Sequence, residues 1–525
     1  MKNILNRKLI LILAAAVAFG TTSCEDFLDL KPRDDRAVDD FFKSEADAQE
    51  ALVGVYDVLQ WNTVSGYHPT PMLLDIASDD AFAGGGSRTD APNIIEVDQH
   101  NILTTNPEIH GLWRKHYMGI GRANLLLNRI GDIEMTDAVK SRIIAEAKFL
   151  RAHFYLDLVR FYENVPLILE PLVTADADFN VPQASPKAVY DQIATDLEEA
   201  IPNLPETTLA ASRGRATKWA AKALLAKAFL FYNGVYGQNL QAGDVTVDAS
   251  RALQHLQDII SQSGHGLLPN YADIFTPSGE YSVESVWEIS YSQDNPWFDW
   301  GYIHGGEGNI QAQMQGPRLQ NPTVEQYERG WSFTPATQSL YDAFEANDPR
   351  RDATLLIQTE FVDGWDEGFQ HTGYFSQKYT TAKAYKPENG QLELNWGNNY
   401  RAIRYADVLL MAAELGVITG GGTPGEWLNE VRRRVNLGPV TATLDNIYQE
   451  RRVELALEGH RYWDLLRRGI DVASQAISTT QIGPFYTGDN IDYRINFRPE
   501  RKGFFPVPQN EIDLSGRLLN QNQGY

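Results

Sequence analysis

The sequence predicts a mainly α protein: a scaffold of helical hairpins of tetratricopeptide type, interrupted by a large loop-rich insertion that carries short strands. Three observations predict it. Apolar residues recur at steps of three and four through several long segments, which is one face of a helix. Small residues repeat at inward positions, as in Ala147-x-x-Leu150-x-Ala152, Ala221-x-x-Leu224-x-Ala226 and Ala406-x-x-Leu409-x-x-Ala412, and these let helix axes approach closely. Between the helical blocks, residues 262–398 are rich in Gly, Asn, Pro, Trp and Tyr. The small-residue repeats keep no fixed interval, so the hairpins are not a simple tandem array.

Taken in order, Ala138–Tyr162 sets Ile144, Ala147, Leu150, Phe154, Leu158 and Phe161 on one stripe. Pro186–Pro205 opens with proline in a tolerable first turn and aligns Val189, Ile193, Leu197 and Ile201. Thr217–Gly237 points Ala221, Leu224, Ala228 and Phe231 inward and stops at glycine. Asn399–Gly422 reads as a further helix ending in three glycines, followed by "WLNEVRRRV" and "IYQERRVELALEGHRYWDLLRRG". Within the insertion, "SVWEISY" (Ser285–Tyr291) is strand-like. A loop-rich insertion on a rigid base is where binding residues tend to sit.

Ahead of the scaffold, Lys2, Arg7 and Lys8 precede an apolar run over Leu9–Phe19, then Gly20, Thr21, Thr22 and Ser23. That is the layout of a secretory signal, here residues 1–23. The run is about half the roughly 20 residues a bilayer-spanning helix needs. The only cysteine of the 525 residues, Cys24, follows at once and is itself followed by Glu25 and Asp26. Its position marks it as a lipidation site, so the chain from residue 24 to 525 is expected to be a single exported domain tethered to a membrane. The scaffold spans about 36–261 and 399–525.

Composition narrows the function. With 43% hydrophobic and 22% charged residues, the chain resembles an average folded domain. The formal net charge of −23 argues against nucleic acid and acidic polymers as partners and favours a neutral ligand. No nucleophile elbow, metalloprotease helix, phosphate loop or paired C-x-x-C occurs. Asp176–Val181 opens like a calcium loop, but it lacks the glycine at position six and has Lys187 at position twelve. No metal and no cofactor is expected. Glycosidase-type carboxylate pairs among the 69 acids stay open at this level.

The blocks "SCEDFLDLKP", "AEAKFLRAHFYLDLVRFYENVPL", "GRATKWAAKALLAKAFLF", "NYRAIRYADVLLMAAEL", "YQERRVELALEGHRYWDLLRRG" and the closing "KGFFPVPQNEIDLSGRLLNQNQGY", in that order, resemble the SusD/RagB family of Bacteroidota. Leu415-Gly416 departs from the family pattern at a helix end. The resemblance implies a non-enzymatic, glycan-binding lipoprotein on the outer face of the outer membrane. It would be anchored through Cys24 and would cap a SusC-like TonB-dependent transporter, to which it delivers oligosaccharide. A secreted glycoside hydrolase and a peptide-binding scaffold are the alternatives.

A sugar ring packs its C–H face on a flat aromatic, and its hydroxyls need amides, carboxylates and guanidinium groups. Trp113, Trp219, Trp287, Trp427 and Trp463 lie in regular patterns and read as core. Trp61, Trp297, Trp300, Trp331, Trp365 and Trp396 lie in polar, turn-rich stretches, although Trp331 sits in a block shared across the family and reads as structural. The glycan candidates are Trp61, Asn62, Tyr67 and His68 in one loop; Asp79 and Arg88 in the glycine loop Ser78–Asp90; Trp297, Asp299 and Trp300 with Tyr302 and His304 in Asp294–Asn309; and Trp365. The charges of "ERRVELALEGHRYWDLLRRG" are spaced three or four apart, which predicts a solvated, ion-paired helix face.

Overall fold

The computed structural model describes residues 41–172, 181–207, 212–298, 307–321, 326–478 and 495–525. Cys24 and the signal, most of the Asp176–Val181 loop, and Asp299, Trp300, Tyr302 and His304 lie outside the described residues.

Helices dominate, as the periodicity predicts. The scaffold begins with α1 (Glu45–Asp57), α2 (Thr70–Ile76), α3 (Pro92–Asp98), α4 (Pro107–Arg129) and α5 (Asp137–Tyr162). It continues with α6 (Pro186–Ala200), α7 (Lys218–Tyr236) and α8 (Ala249–Gln262). Six of these eight start on a side-chain N-cap: Ser44, Asn106, Thr136, Ser185, Thr217 and Asp248 accept hydrogen bonds from first-turn amides, which satisfies donors that a helix leaves unpaired. Helix α7 ends on Gly237 at φ 65°, a left-handed cap that costs glycine little.

The long helices pack in succession: α1 on α4, α4 on α5, α5 on α6, α6 on α7 and α7 on α8. Ala147, Ala152, Ala221, Ala226 and Ala406 are all fully buried at the crossings, where the repeat of small residues placed them.

The insertion contributes β3 (Ser285–Ile289), α9 (Ile310–Gln315), α10 (Gln338–Ala343), α11 (Arg350–Thr354) and the hairpin-like pair β4 (Leu355–Ile357) and β5 (Tyr374–Ser376). A small antiparallel pair, β1 (Leu240–Ala242) and β2 (Val245–Val247), follows α7. The chain then returns through β6 (Tyr400–Arg404), α12 (Tyr405–Thr419), α13 (Pro424–Arg434), α14 (Leu444–Glu454), α15 (Arg461–Arg467), α16 (Ile470–Ser478) and α17 (Gln509–Leu514).

One helix start is corrected, while its glycine end is as expected. Tyr400–Arg404 is a strand antiparallel to β3, so the helix begins only at Tyr405. The segment serves as a buried ladder partner for "SVWEI", and tertiary pairing overrides local helical preference. The helix also runs through Leu415-Gly416 to a left-handed Gly420 cap. Glycine suits position 416 because a Cβ there would stand 2.9 Å from the Gly421 carbonyl oxygen.

The charged signature at 450–468 is likewise corrected: it is buried, and most of its pairs reach other elements. Glu454 meets Arg350, Arg404 and Arg434, and Glu458 meets Lys378 and Arg404. Arg451 meets Asp407 and Asp464. Among the pairs inside the signature, Arg467 with Asp464 alone keeps helical spacing.

Candidate functional site

The candidate face is assembled on α9, whose six residues are all buried. Around it the chain lays down loops from four distant regions. The glycine loop is stitched to residues 332–336 by bridges Ala81–Ala336 and Gly84–Phe333. The Gly85 amide donates to the Ser332 carbonyl at 3.0 Å, while the Phe369 amide donates to the Gly85 carbonyl at 2.8 Å. A further bridge joins Leu319 to Trp365.

At this junction Tyr67 meets Trp331 edge to face, with centroids 5.9 Å apart and planes at 71°; both rings are half-buried. The Trp331 amide donates to the Gln313 carbonyl of α9 at 2.9 Å. Its own carbonyl accepts from Arg318 Nε at 3.0 Å. Arg318 then pairs with Asp90 at 3.2 Å, and Asp90 also accepts the Gly86 amide at 2.7 Å. Next to them Arg329 pairs with Asp366 and donates to the Leu319 carbonyl. Arg88 projects exposed from the same glycine loop. Burial, then the Glu108 and Asp90 carboxyl groups, push the Tyr67 hydroxyl up, so it stays a protonated donor.

Glu108 underlies this loop. It is 3% exposed, and the backbone passes so close that a Cβ on Gly66 would overlap its carboxyl at 1.9 Å. Burial pushes its carboxyl up to about 8, against the Tyr67 amide, which favours the charged form. The group is therefore neutral at pH 7. Between about pH 4.5 and 8 the unfolded chain releases this proton while the folded chain keeps it, so folding stability falls as pH rises through that window. Glu108→Gln is expected to flatten this dependence and raise stability at pH 9 by about 5 kcal/mol. Urea titrations of both proteins at pH 6 and 9 measure it; parallel profiles would remove Glu108 as the cause.

The other predicted site residues separate into two groups. Trp61 is half-buried under the Arg122 guanidinium, 4.8 Å from its ring centroid. Trp365 is half-buried against His371 and Phe375, each 5.1 Å away. Trp297 is half-buried, its backbone clasped by the Asn395 side chain at 2.8 Å on both amide and carbonyl. Beside it Phe298 is 69% exposed.

Asn62, His68 and Asp79, by contrast, are framework. Asn62 is buried and donates to the Tyr291 hydroxyl at 3.0 Å. His68 is fully buried; its Nε2 accepts the Val64 amide at 2.9 Å, and burial holds its pKa well below the usual imidazole range. Asp79 is forked onto Arg461 at 2.7 and 2.9 Å and also pairs with Arg452. Trp396, read as a loop aromatic, is fully buried and donates to Gln313 Oε1 at 3.1 Å. Each carries a polar group that looks exposed in sequence, yet His68 satisfies a buried loop amide and the other three are held by the side chains of Tyr291, Arg461 and Gln313.

Sequence reading missed Arg318, Asp90, Arg329 and Asp366, and it assigned Trp331 to structure alone. Asp90 ends the quoted glycine loop and was within reach; the arginines carry no local signal. The five tryptophans read as core are all buried. Among the described residues no cluster of three metal-ligating side chains occurs and no helix is long and apolar enough to cross a membrane.

Comparison with known proteins agrees with this architecture. Residues 351–525 match the profile described as SusD family, and residues 26–230 match one described as starch-binding associating with outer membrane. Surface glycan-binding protein A from Bacteroides thetaiotaomicron, solved in complex with laminarihexaose, superposes with a TM-score of 0.80 at 31% identity, covering 91% of this chain and 100% of its own. A laminarin-binding SusD-like protein superposes with a TM-score of 0.78 at 34% identity, covering 92% and 100%. SusD-like protein P25 of Formosa agariphila is 28% identical over 98% of this chain and 99% of its own length. With this sequence identity sustained over nearly the full length, together with the shared helical architecture, the chain belongs to the SusD/RagB family.

Proposed function

We propose that the protein binds a neutral oligosaccharide of the laminarin class without cleaving it. We further propose that it works as one unit from Cys24 to the C-terminus, lipid-anchored there on the outer membrane, and passes its ligand to a SusC-like TonB-dependent transporter. The observation that carries the reading is the half-buried Tyr67–Trp331 pair bounded by the Arg318–Asp90 and Arg329–Asp366 ion pairs. Aromatic faces accept the C–H side of a sugar. Guanidinium and carboxylate groups that already hold each other in fixed orientation meet hydroxyls with little further ordering, which is how preorganisation raises affinity. The relatives that bind laminarin share the fold over nearly the whole chain.

The test uses a soluble form lacking residues 1–24, titrated calorimetrically with laminarihexaose. Substituting Tyr67 and Trp331 together by alanine is expected to lower affinity at least tenfold, about 1.4 kcal/mol, with helicity unchanged. Affinity within twofold of the parent would move the site elsewhere. A Trp297→Ala, Trp300→Ala arm reports separately on the neighbouring loop. Incubation with laminarin should release no reducing ends; their release would favour a hydrolase.

A further inference from the structure

Beneath the candidate face, where α4, α5, α7 and α15 converge, lies an internal chamber of about 70 Å³. A second cavity of about 20 Å³ shares Arg160, Lys227, His460 and Trp463 with it. About 10–15 Å³ of such volume admits one water-sized occupant, so the chamber has room for several. Its lining is unusual for an interior. Lys115, Arg160 and Lys227 face it, and among the described residues Asp157 is the only carboxylate in its wall.

The donors there are incompletely used. Lys115 is 6% exposed; its ammonium donates to the Leu59 carbonyl at 2.9 Å, and no carboxylate among the described residues lies within ion-pair distance. Arg160 spends one guanidinium nitrogen on Asp157, while its Nε has no partner. Trp463, whose ring lies 5.0 Å from that guanidinium, has an indole N–H that is also unpartnered. Both residues are more than nine-tenths buried.

Following the ion pairs outward does not supply the missing negative charge. Lys227 pairs with Asp407, Asp407 with Arg451, Arg451 with Asp464, Asp464 with Arg467 and Arg467 with Glu414. With Lys115, whose ammonium burial pushes down to about 8, and with Arg160 and Asp157, five basic side chains thus face four carboxylates. Glu458, the next acid along the chain, is taken up by Arg404 and Lys378. Asp75 does not line the chamber: it accepts the Gly459 amide, and burial pushes its carboxyl well above the usual range. His153 and His460 are neutral, held at about 4 and about 3 chiefly by burial. Each unsatisfied hydrogen belongs to a donor, and a buried cation without a counter-charge is costly.

We propose that this chamber is a binding site for one small monovalent inorganic anion of halide size, held by Lys115 Nζ, Arg160 Nε and the Trp463 indole N–H. The anion completes the charge balance of the helical core directly below the loop that carries Asn62 and Tyr67. It ties α4 to α5 and α15 without a direct side-chain bond between Lys115 and Trp463.

The experiment uses the soluble protein lacking residues 1–24. Crystals grown in sodium bromide are expected to show an anomalous peak in the chamber between Arg160 and Lys115; water density alone there would overturn the proposal. In solution, unfolding is followed at fixed ionic strength in sodium chloride and in sodium gluconate, whose anion is too large for the chamber. The wild type is expected to melt about 2–4 °C higher in chloride, and Lys115→Met should abolish the difference. An equal chloride effect in both proteins would also overturn the assignment. Because the bromide crystal needs no variant, failure of Lys115→Met to fold leaves that test intact. Laminarihexaose binding is not its readout, so it stands apart from the proposed function.

Discussion

Arg404→Met is expected to lower folding stability by about 3–5 kcal/mol, the range for breaking a buried ion pair on one side. Arg404 is 1% exposed at the end of β6. Its guanidinium donates to Glu458 at 2.8 Å, to Glu284 at 2.7 Å, and to the Glu454 carboxylate and carbonyl at 2.9 Å each. Burial alone would raise the Glu454 pKa, but Arg434, Arg404 and Arg350 together hold it well below the usual carboxylate range. A carboxyl depressed in this way stabilises the fold above its unfolded pKa near 4.5 and loses that contribution as pH falls below it.

Removing Arg404 leaves Glu458 with Lys378 as its remaining partner among the described residues and takes one of three arginines from Glu454. Urea unfolding at pH 7 measures the loss. A further variant, Arg404→Met with Glu458→Met and Lys378→Met, should recover part of it, because removing Lys378 together with Glu458 leaves no stranded charge at that position. A midpoint for Arg404→Met equal to the wild type would show that the network contributes nothing to folding.

Gly330→Ala is expected to abolish most oligosaccharide binding while leaving the scaffold folded. The Gly330 amide donates to the Pro317 carbonyl at 2.8 Å, and the next amides, Trp331 and Ser332, bond to Gln313 and Gly316. A Cβ on Gly330 would stand 2.3 Å from the Gly316 carbonyl carbon and oxygen. Backbone cannot rotate away as a side chain can, so the two segments must part and Trp331 moves with them. Overpacking of this kind costs about 1–3 kcal/mol. Calorimetry with laminarihexaose should show at least a tenfold loss, with far-UV circular dichroism preserved. Full affinity would mean that Trp331 lies outside the contact surface, a result to be read beside the double alanine variant.

The sequence by itself determined the helices, their small-residue crossings, the core tryptophans and the family. These are properties of local periodicity: a stripe at steps of three and four has few ways to bury itself, and small residues such as the fully buried Ala147, Ala221 and Ala406 let helix axes approach closely. The residue types of the site were legible to the same extent, since loop aromatics beside amides and charges were singled out. What only the tertiary structure decided was which of them face outward. Asn62, His68 and Asp79 look like ligand contacts in sequence, yet their partners Tyr291, Val64 and Arg461 fix them inside. Two of those partners lie hundreds of residues away. Arg318 and Asp90, 228 positions apart, meet beside Trp331 for the same reason. Burial of a polar side chain depends on whether a complementary group arrives from elsewhere in the chain, and that is settled by how the loops close over α9, which no local pattern encodes.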